Sequence, residues 1–257
     1  MTDVWVLLPF FLLGALLYTS VGHGGATIYL AILVLAGFAT KPLQTTVLVL
    51  NIVAAGLGFV QFQHAGHLRP KLLLAFVVTS IPAAYLGGAF PLSDRATKIL
   101  LFIALGVAAA RFLAFAHVEP RKRRVEGPAF YAIAAVVGAV LGFFAGATGI
   151  GGGIYLSPIL VMLGWATVKE AASVAGAFIV LNSAAGLAAK LPDQPLHADI
   201  LGPTILVVVV GAAIGGHLGA RRIPPRGLQL LLGAVLLVAT LKLALDLGLV
   251  GRLKALI

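Results

Sequence analysis

The stretch Gly149-Ile150-Gly151-Gly152-Gly153-Ile154-Tyr155-Leu156-Ser157-Pro158 places four glycines in five positions directly before an apolar run that ends near residue 164. Gly22-His23-Gly24-Gly25 places three glycines in four positions before a run that ends near residue 38. Each run holds about 15 residues, or ~22 Å of helix, which is short for a hydrocarbon core of ~30 Å. Glycine lets the backbone bend and lets a ligand come close to it. The free N–H groups at the start of the helix that follows carry partial positive charge, so the two together make a cradle for an anion.

The remainder of the chain is long apolar runs, near 4–21, 43–63, 71–90, 97–116, 128–148, 168–190, 200–220 and 227–249. Of 257 residues, 61% are hydrophobic and 10% charged, and mean hydropathy is +1.10. A soluble domain carries about 25% charged residues. The expected fold is an all-α polytopic membrane protein with no room for a soluble domain, which excludes a soluble enzyme. The segment 4–21 lacks a positive flank and a cleavage site and reads as a retained membrane segment.

Net charge is +10, with a pI near 10.3. Basic residues sit at segment ends, densest at Arg121, Lys122, Arg123 and Arg124. This is a topology signal and a contact for anionic lipid, so the bilayer is the expected partner and nucleic acid is not. Without cysteine there is no disulfide or thiolate metal site, and no metal or other cofactor is expected.

The chain repeats itself. Ile28-Tyr29-Leu30 recurs as Ile154-Tyr155-Leu156, Gly37, Ala39 and Thr40 as Gly164, Ala166 and Thr167, and Val49-Leu50-Asn51 as Val180-Leu181-Asn182. His67 matches His197, and Arg95 and Arg111 match Arg226 and Lys242. The second half gains about one helical turn between Thr167 and Asn182, which keeps the helix face. The expected organisation is a first membrane repeat over 1–116, a basic linker over 117–127 and a second repeat over 128–257. Parallel and inverted arrangements divide the Lys and Arg residues alike, the linker lying on the richer, cytoplasmic side in both. Short glycine-broken segments at matching positions favour inversion.

The expected substrate contacts are Gly22, His23, Gly24 and Gly25 in the first half and Gly149, Gly151, Gly152 and Gly153 in the second. Asn51 and Asn182 lie in mid-segment, where an amide needs an interior partner, either another helix or the substrate. Arg111 and Lys242 reach the interface or draw anions toward the pathway. The glycine trios Gly138, Gly142, Gly146 and Gly211, Gly215, Gly219 read as packing surfaces. No carboxylate pair lies in mid-segment, which opposes hydrolysis and a carboxylate proton relay.

The second-half motif, G-x-G-G-G with Pro158 following, together with Gly22-His23-Gly24-Gly25-Ala26 and the repeat, resembles the TauE/SafE sulfite exporter family over nearly the whole chain. The first half departs from that motif at His23, at Ala26 and at Ile32, where no proline stands. The resemblance implies transport of sulfite, a sulfonate or a related anion. The expected function is therefore secondary export of a small anion across a prokaryotic cytoplasmic membrane, with no enzymatic activity. The alternative is an intramembrane lipid-phosphate hydrolase using the glycine loops on phosphate. No nucleotide-binding loop is present, and a homodimer is left open.

Overall fold

A computed structural model describes residues 4–38, 41–90, 93–114 and 126–248. Most of the linker, residues 115–125, lies outside it, as does the side chain of Arg111. Among the described residues there are ten α-helices and no strand. The helices are α1 Val4–Ser20, α2 Ala26–Leu35, α3 Gln44–His64, α4 Pro70–Ala89, α5 Asp94–Ala114, α6 Pro128–Thr148, α7 Gly153–Met162, α8 Val168–Lys190, α9 Ala198–Arg221 and α10 Pro225–Asp246. Five of them, α3, α4, α6, α8 and α9, are long and apolar enough to cross a membrane.

Local chemistry sets the boundaries. Proline opens α4, α6 and α10, where its missing N–H has no helical partner to lose. Thr167 caps α8 in a reciprocal box with Glu170, and Glu170 also bonds Arg69 before α4 at 3.1 Å. One carboxylate thus starts α8 and ties it to the loop ahead of α4. The two short runs yield helices of only 10 residues each, because their glycine clusters stay outside the helix.

The packing is reciprocal. α4 lies on α6 and α8 while α9 lies on α1 and α3; α5 pairs with α10 and α3 with α8. Gly138, Gly142 and Gly146 of α6 sit against the carbonyls of Phe76, Ser80 and Ala84 of α4, and Gly211, Gly215 and Gly219 of α9 against those of Leu12, Leu16 and Ser20 of α1. The order of contacts makes each of these two pairs parallel. Without side chains the backbones approach closely, which is how helices associate when lipid removes the hydrophobic drive between them.

The sequence-matched helices run in opposite directions. Along α3 and α8, Asn51 meets Ser183, Gly56 faces Val180, and Gly176 faces Phe59. Along α5 and α10, Gly106 faces Thr240 and Gly233 faces Leu113. Both pairs are antiparallel.

The bundle is apolar outside, and polar side chains are buried among apolar ones within. Val78, Val136, Leu206 and Val238 are exposed on helix surfaces, while Thr45, Asn51, Asn182, Ser183 and Thr204 are buried. So much exposed apolar surface suits lipid rather than water.

A leucine at Gly215 would overlap the Leu16 carbonyl and part α1 from α9. Gly215→Leu is expected to destabilise the protein by about 2 kcal/mol or more, read by denaturant unfolding in detergent. Gly202→Leu on the open face of the same helix, where an added Cβ meets nothing within 4 Å, is expected to leave the curve unmoved.

Candidate functional site

α3 and α8 cross where Asn51 meets Ser183, and both glycine clusters lead the chain to that crossing. Ser20, at the end of α1, lies beside Gly219 near the end of α9. From there the backbone returns inward without helical bonding: Gly22 lies against Ala172, and Gly24 against Asn51. α2 starts at that depth and folds back along α1, with Ile28 on Gly14 and Tyr29 stacked on Phe11 at 5.3 Å. In the second half Gly149 lies against Gln44 at the start of α3, Gly151 against Asn51 and Ser183, and Gly153 against Ile179 of α8. Both short helices therefore begin near the centre of the bundle, each with its N-terminal end there.

Asn51 joins these pieces. Its Oδ1 accepts from Ala26 N, the first residue of α2, at 3.0 Å. Its Nδ2 donates to Ile150 O at 3.3 Å and to Ser183 Oγ at 2.9 Å. One amide thus caps a helix, satisfies a carbonyl of the opposite break and bonds the facing helix. Gly24 and Gly151 flank it so closely that a Cβ on either would overlap its amide.

His23 is buried. Its backbone N–H donates to Tyr18 O at 2.8 Å, and its Nε2 lies 3.1 Å from Ser157 Oγ, a turn into α7. Ser157 Oγ in turn lies 3.5 Å from Ala171 O. The first-half break is thereby fastened to the second-half short helix.

Asn182, the sequence match of Asn51, is also buried but bonds differently. Its Nδ2 donates to Phe178 O of its own helix at 2.8 Å, and its Oδ1 has no protein partner. Gly152, at φ +70, points its missing side chain at Ala145 Cβ 2.8 Å away and at Phe178. A side chain there strains the fold before it meets any ligand.

Lys242 stands away from the centre, where its Nζ donates to Ala31 O of α2 at 3.1 Å. Arg111 is on α5 with its side chain outside the described residues. Three partners escaped the sequence reading. Ser157 sits inside the motif, one residue before Pro158, and Ser183 directly follows Asn182. Lys190 closes the α8 run, which reads as an interfacial position, yet it is buried with Nζ 3.5 Å from Ala147 O. No carboxylate is buried among the described residues, so nothing here favours the hydrolase.

An apolar exterior, polar side chains buried within the bundle and two broken segments whose short helices start at the centre define a multi-pass helical membrane protein built like a transporter. The family description "Sulfite exporter TauE/SafE" matches residues 7–243, and the chain belongs to that family of membrane transporters. It is 31% identical over 234 residues to "Probable membrane transporter protein y4hK" of Sinorhizobium fredii, covering 89% of this chain and 93% of that one. It is 26% identical over 258 residues to "Probable membrane transporter protein YjnA" of Bacillus subtilis, covering 94% and 99% respectively. No solved structure matches the chain.

The two asparagines are expected to differ in cost. Asn51→Leu orphans Ala26 N, Ile150 O and Ser183 at once and is expected to destabilise by about 2 kcal/mol or more, whereas Asn182→Leu removes one bond and an orphaned oxygen and is expected to cost under about 1 kcal/mol. Unfolding of both variants in the same detergent checks the order.

Proposed function

We propose that this protein is a secondary transporter that exports a small sulfur oxyanion, such as sulfite or a sulfonate, across a prokaryotic cytoplasmic membrane. The observation that carries this reading is the meeting of both glycine breaks at Asn51, with α2 and α7 starting beside it. The substrate site is assigned to this centre: the backbones of Gly22, Gly24, Gly25, Gly149, Gly151, Gly152 and Gly153, with the side chains of His23, Asn51 and Asn182. Helix starts, amides and hydroxyls donate to an anion without a fixed full charge. An anion held this way is retained weakly enough to leave, as transport requires.

The antiparallel course of α3 against α8 and of α5 against α10 supports two repeats inverted about an axis in the membrane plane. The loop before α4, the start of α8 and the end of α9 share one end of the bundle: Arg69 bonds Glu170 there, and Lys169 donates to Ala220 O. Arg69, Lys71, Lys169, Arg221, Arg222 and Arg226 gather at that end, which with the Arg121–Arg124 linker is assigned to the cytoplasm. His64→Cys is then expected to react with impermeant maleimide only from the cytoplasmic side and Asp193→Cys only from the opposite side. Labelling of both from one side overturns the arrangement.

Flux is the direct test of function. Proteoliposomes holding the purified protein are expected to exchange labelled sulfite or methanesulfonate at least about tenfold faster than empty vesicles, which lowers the barrier by about 1.4 kcal/mol. Equal rates in the two preparations for sulfite, sulfate, thiosulfate and methanesulfonate overturn the proposal.

A further inference from the structure

We infer that His23 is the proton-carrying group of the transport cycle, so that the anion crosses together with a proton held on the imidazole Nδ1. The inference rests on the proposed anion transport.

The ring is buried between the two halves, and its two nitrogens are in different situations. Nε2 faces Ser157 Oγ at 3.1 Å. Ser157 Oγ lies 3.5 Å from Ala171 O, and in the ring tautomer on which the inference rests Nε2–H donates to Ser157 Oγ. Nδ1 then holds a lone pair and has no protein partner. A buried, unpartnered lone pair on the one side chain type that titrates near neutrality is a vacant proton site.

Among the described residues, no buried carboxylate stands beside the ring to compensate a proton there. Around the break stand the buried hydroxyl of Tyr18 on α1, with Tyr155 of α7 beside it, and the hydroxyl of Tyr29 on α2, which donates to Gly24 O, with the Asn51 amide on α3. On α8 the nearest ionisable groups are Lys169 and Glu170 in its first turn, the one donating to Ala220 O and the other paired with Arg69. An imidazolium in such a place is costly alone and is offset when an anion sits beside it. The anion and the proton therefore stabilise each other's binding, which is the condition for carrying both. The new Nδ1–H is also a donor that the anion accepts, while Nε2 keeps its bond to Ser157 and holds the ring in place.

The chemistry is a single proton exchange. A proton from water on one side forms the Nδ1–H bond, and the same bond releases it to water on the other side. No other covalent bond changes. Gly22 and Gly25, at φ +81 and +105, flank the histidine with backbone that few other residues adopt, so the turn that carries the ring depends on them. For a monovalent anion the moving complex is electrically neutral, so export is driven by the anion's own concentration gradient, against an alkaline cytoplasm, and takes a proton out with each anion.

The test uses methanesulfonate, which stays ionised at every pH used, so any proton that moves with it is carried by the protein. In proteoliposomes with voltage clamped by potassium and valinomycin, a gradient of about two pH units is expected to accumulate labelled methanesulfonate up to roughly a hundredfold on the alkaline side. His23→Gln is expected to slow exchange, and the exchange that remains is expected to be indifferent to the gradient. Ser157→Ala, which frees the ring but keeps it, is expected to retain accumulation with a displaced pH profile. Methanesulfonate is also added to weakly buffered wild-type protein in detergent, where uptake of about one proton per bound anion is expected; this reading stands even where His23→Gln fails to fold. Wild-type exchange that ignores the gradient, full accumulation by His23→Gln, or binding without proton uptake overturns the inference. Absence of flux for every anion overturns the transport reading itself.

Discussion

Backbone that leaves a helix inside an apolar bundle must find its hydrogen bonds within the protein, because neither lipid nor bulk water supplies them. This chain leaves helix twice at its centre, and Asn51 is the main answer to the resulting debt of N–H and C=O groups. Its carbonyl takes the first N–H of α2 and its amide takes Ile150 O from the other break. The bond to Ser183 then fixes the level at which α3 and α8 cross. The position of every glycine near the centre follows. Gly24 and Gly151 are glycines because the Asn51 amide occupies the space their side chains would need.

That central pin depends on close packing further out. The two glycine ladders bring α6 onto α4 and α9 onto α1 at backbone contact. Since α4 belongs to the first half and α6 to the second, each half completes the other's wall. Thr45 and Thr46 at the start of α3 also bond Pro195 O and His197 N in the turn before α9. Loosening one half therefore exposes polar backbone in both, which ties the fold of the breaks to the fold of the whole bundle.

The apolar runs and their breaks were legible in the sequence because both the cost of polar groups in lipid and the flexibility of glycine are local properties. Gly138, Gly142 and Gly146 disclosed a packing surface by spacing alone, and Asn51 and Asn182 disclosed an interior by being polar in mid-run. Three things were not legible. The direction of α3 relative to α8 is a property of pairing, and the basic residues divide alike for either direction. Ser157 gave no signal because serine is tolerated in apolar helices through bonds to its own backbone; only its approach to His23 across the halves gives it a role. The difference between Asn51 and Asn182 was hidden because the two are identical in type and place. A single carbonyl at the crossing already caps α2, and Asn182 turns to Phe178 of its own helix instead.

The lysines bear on the electrostatics of the centre. Three ammonium groups sit on helix carbonyls: Lys190 on Ala147 and Lys169 on Ala220, in the last turns of α6 and α9, and Lys242 on Ala31 in the C-terminal half of α2. A cation at the carbonyl end of a helix offsets the partial negative charge there. For α2 this leaves the opposite, positive end beside Asn51 with no equal negative pole in the apolar interior to cancel it. On the transport reading proposed above, a lysine at the centre would be a permanent full charge in low dielectric, where attraction is strong and departure slow, unlike an imidazole that gains and loses its proton. Setting the lysines away from the middle and the helix starts at it gives the centre a positive potential made of partial charges.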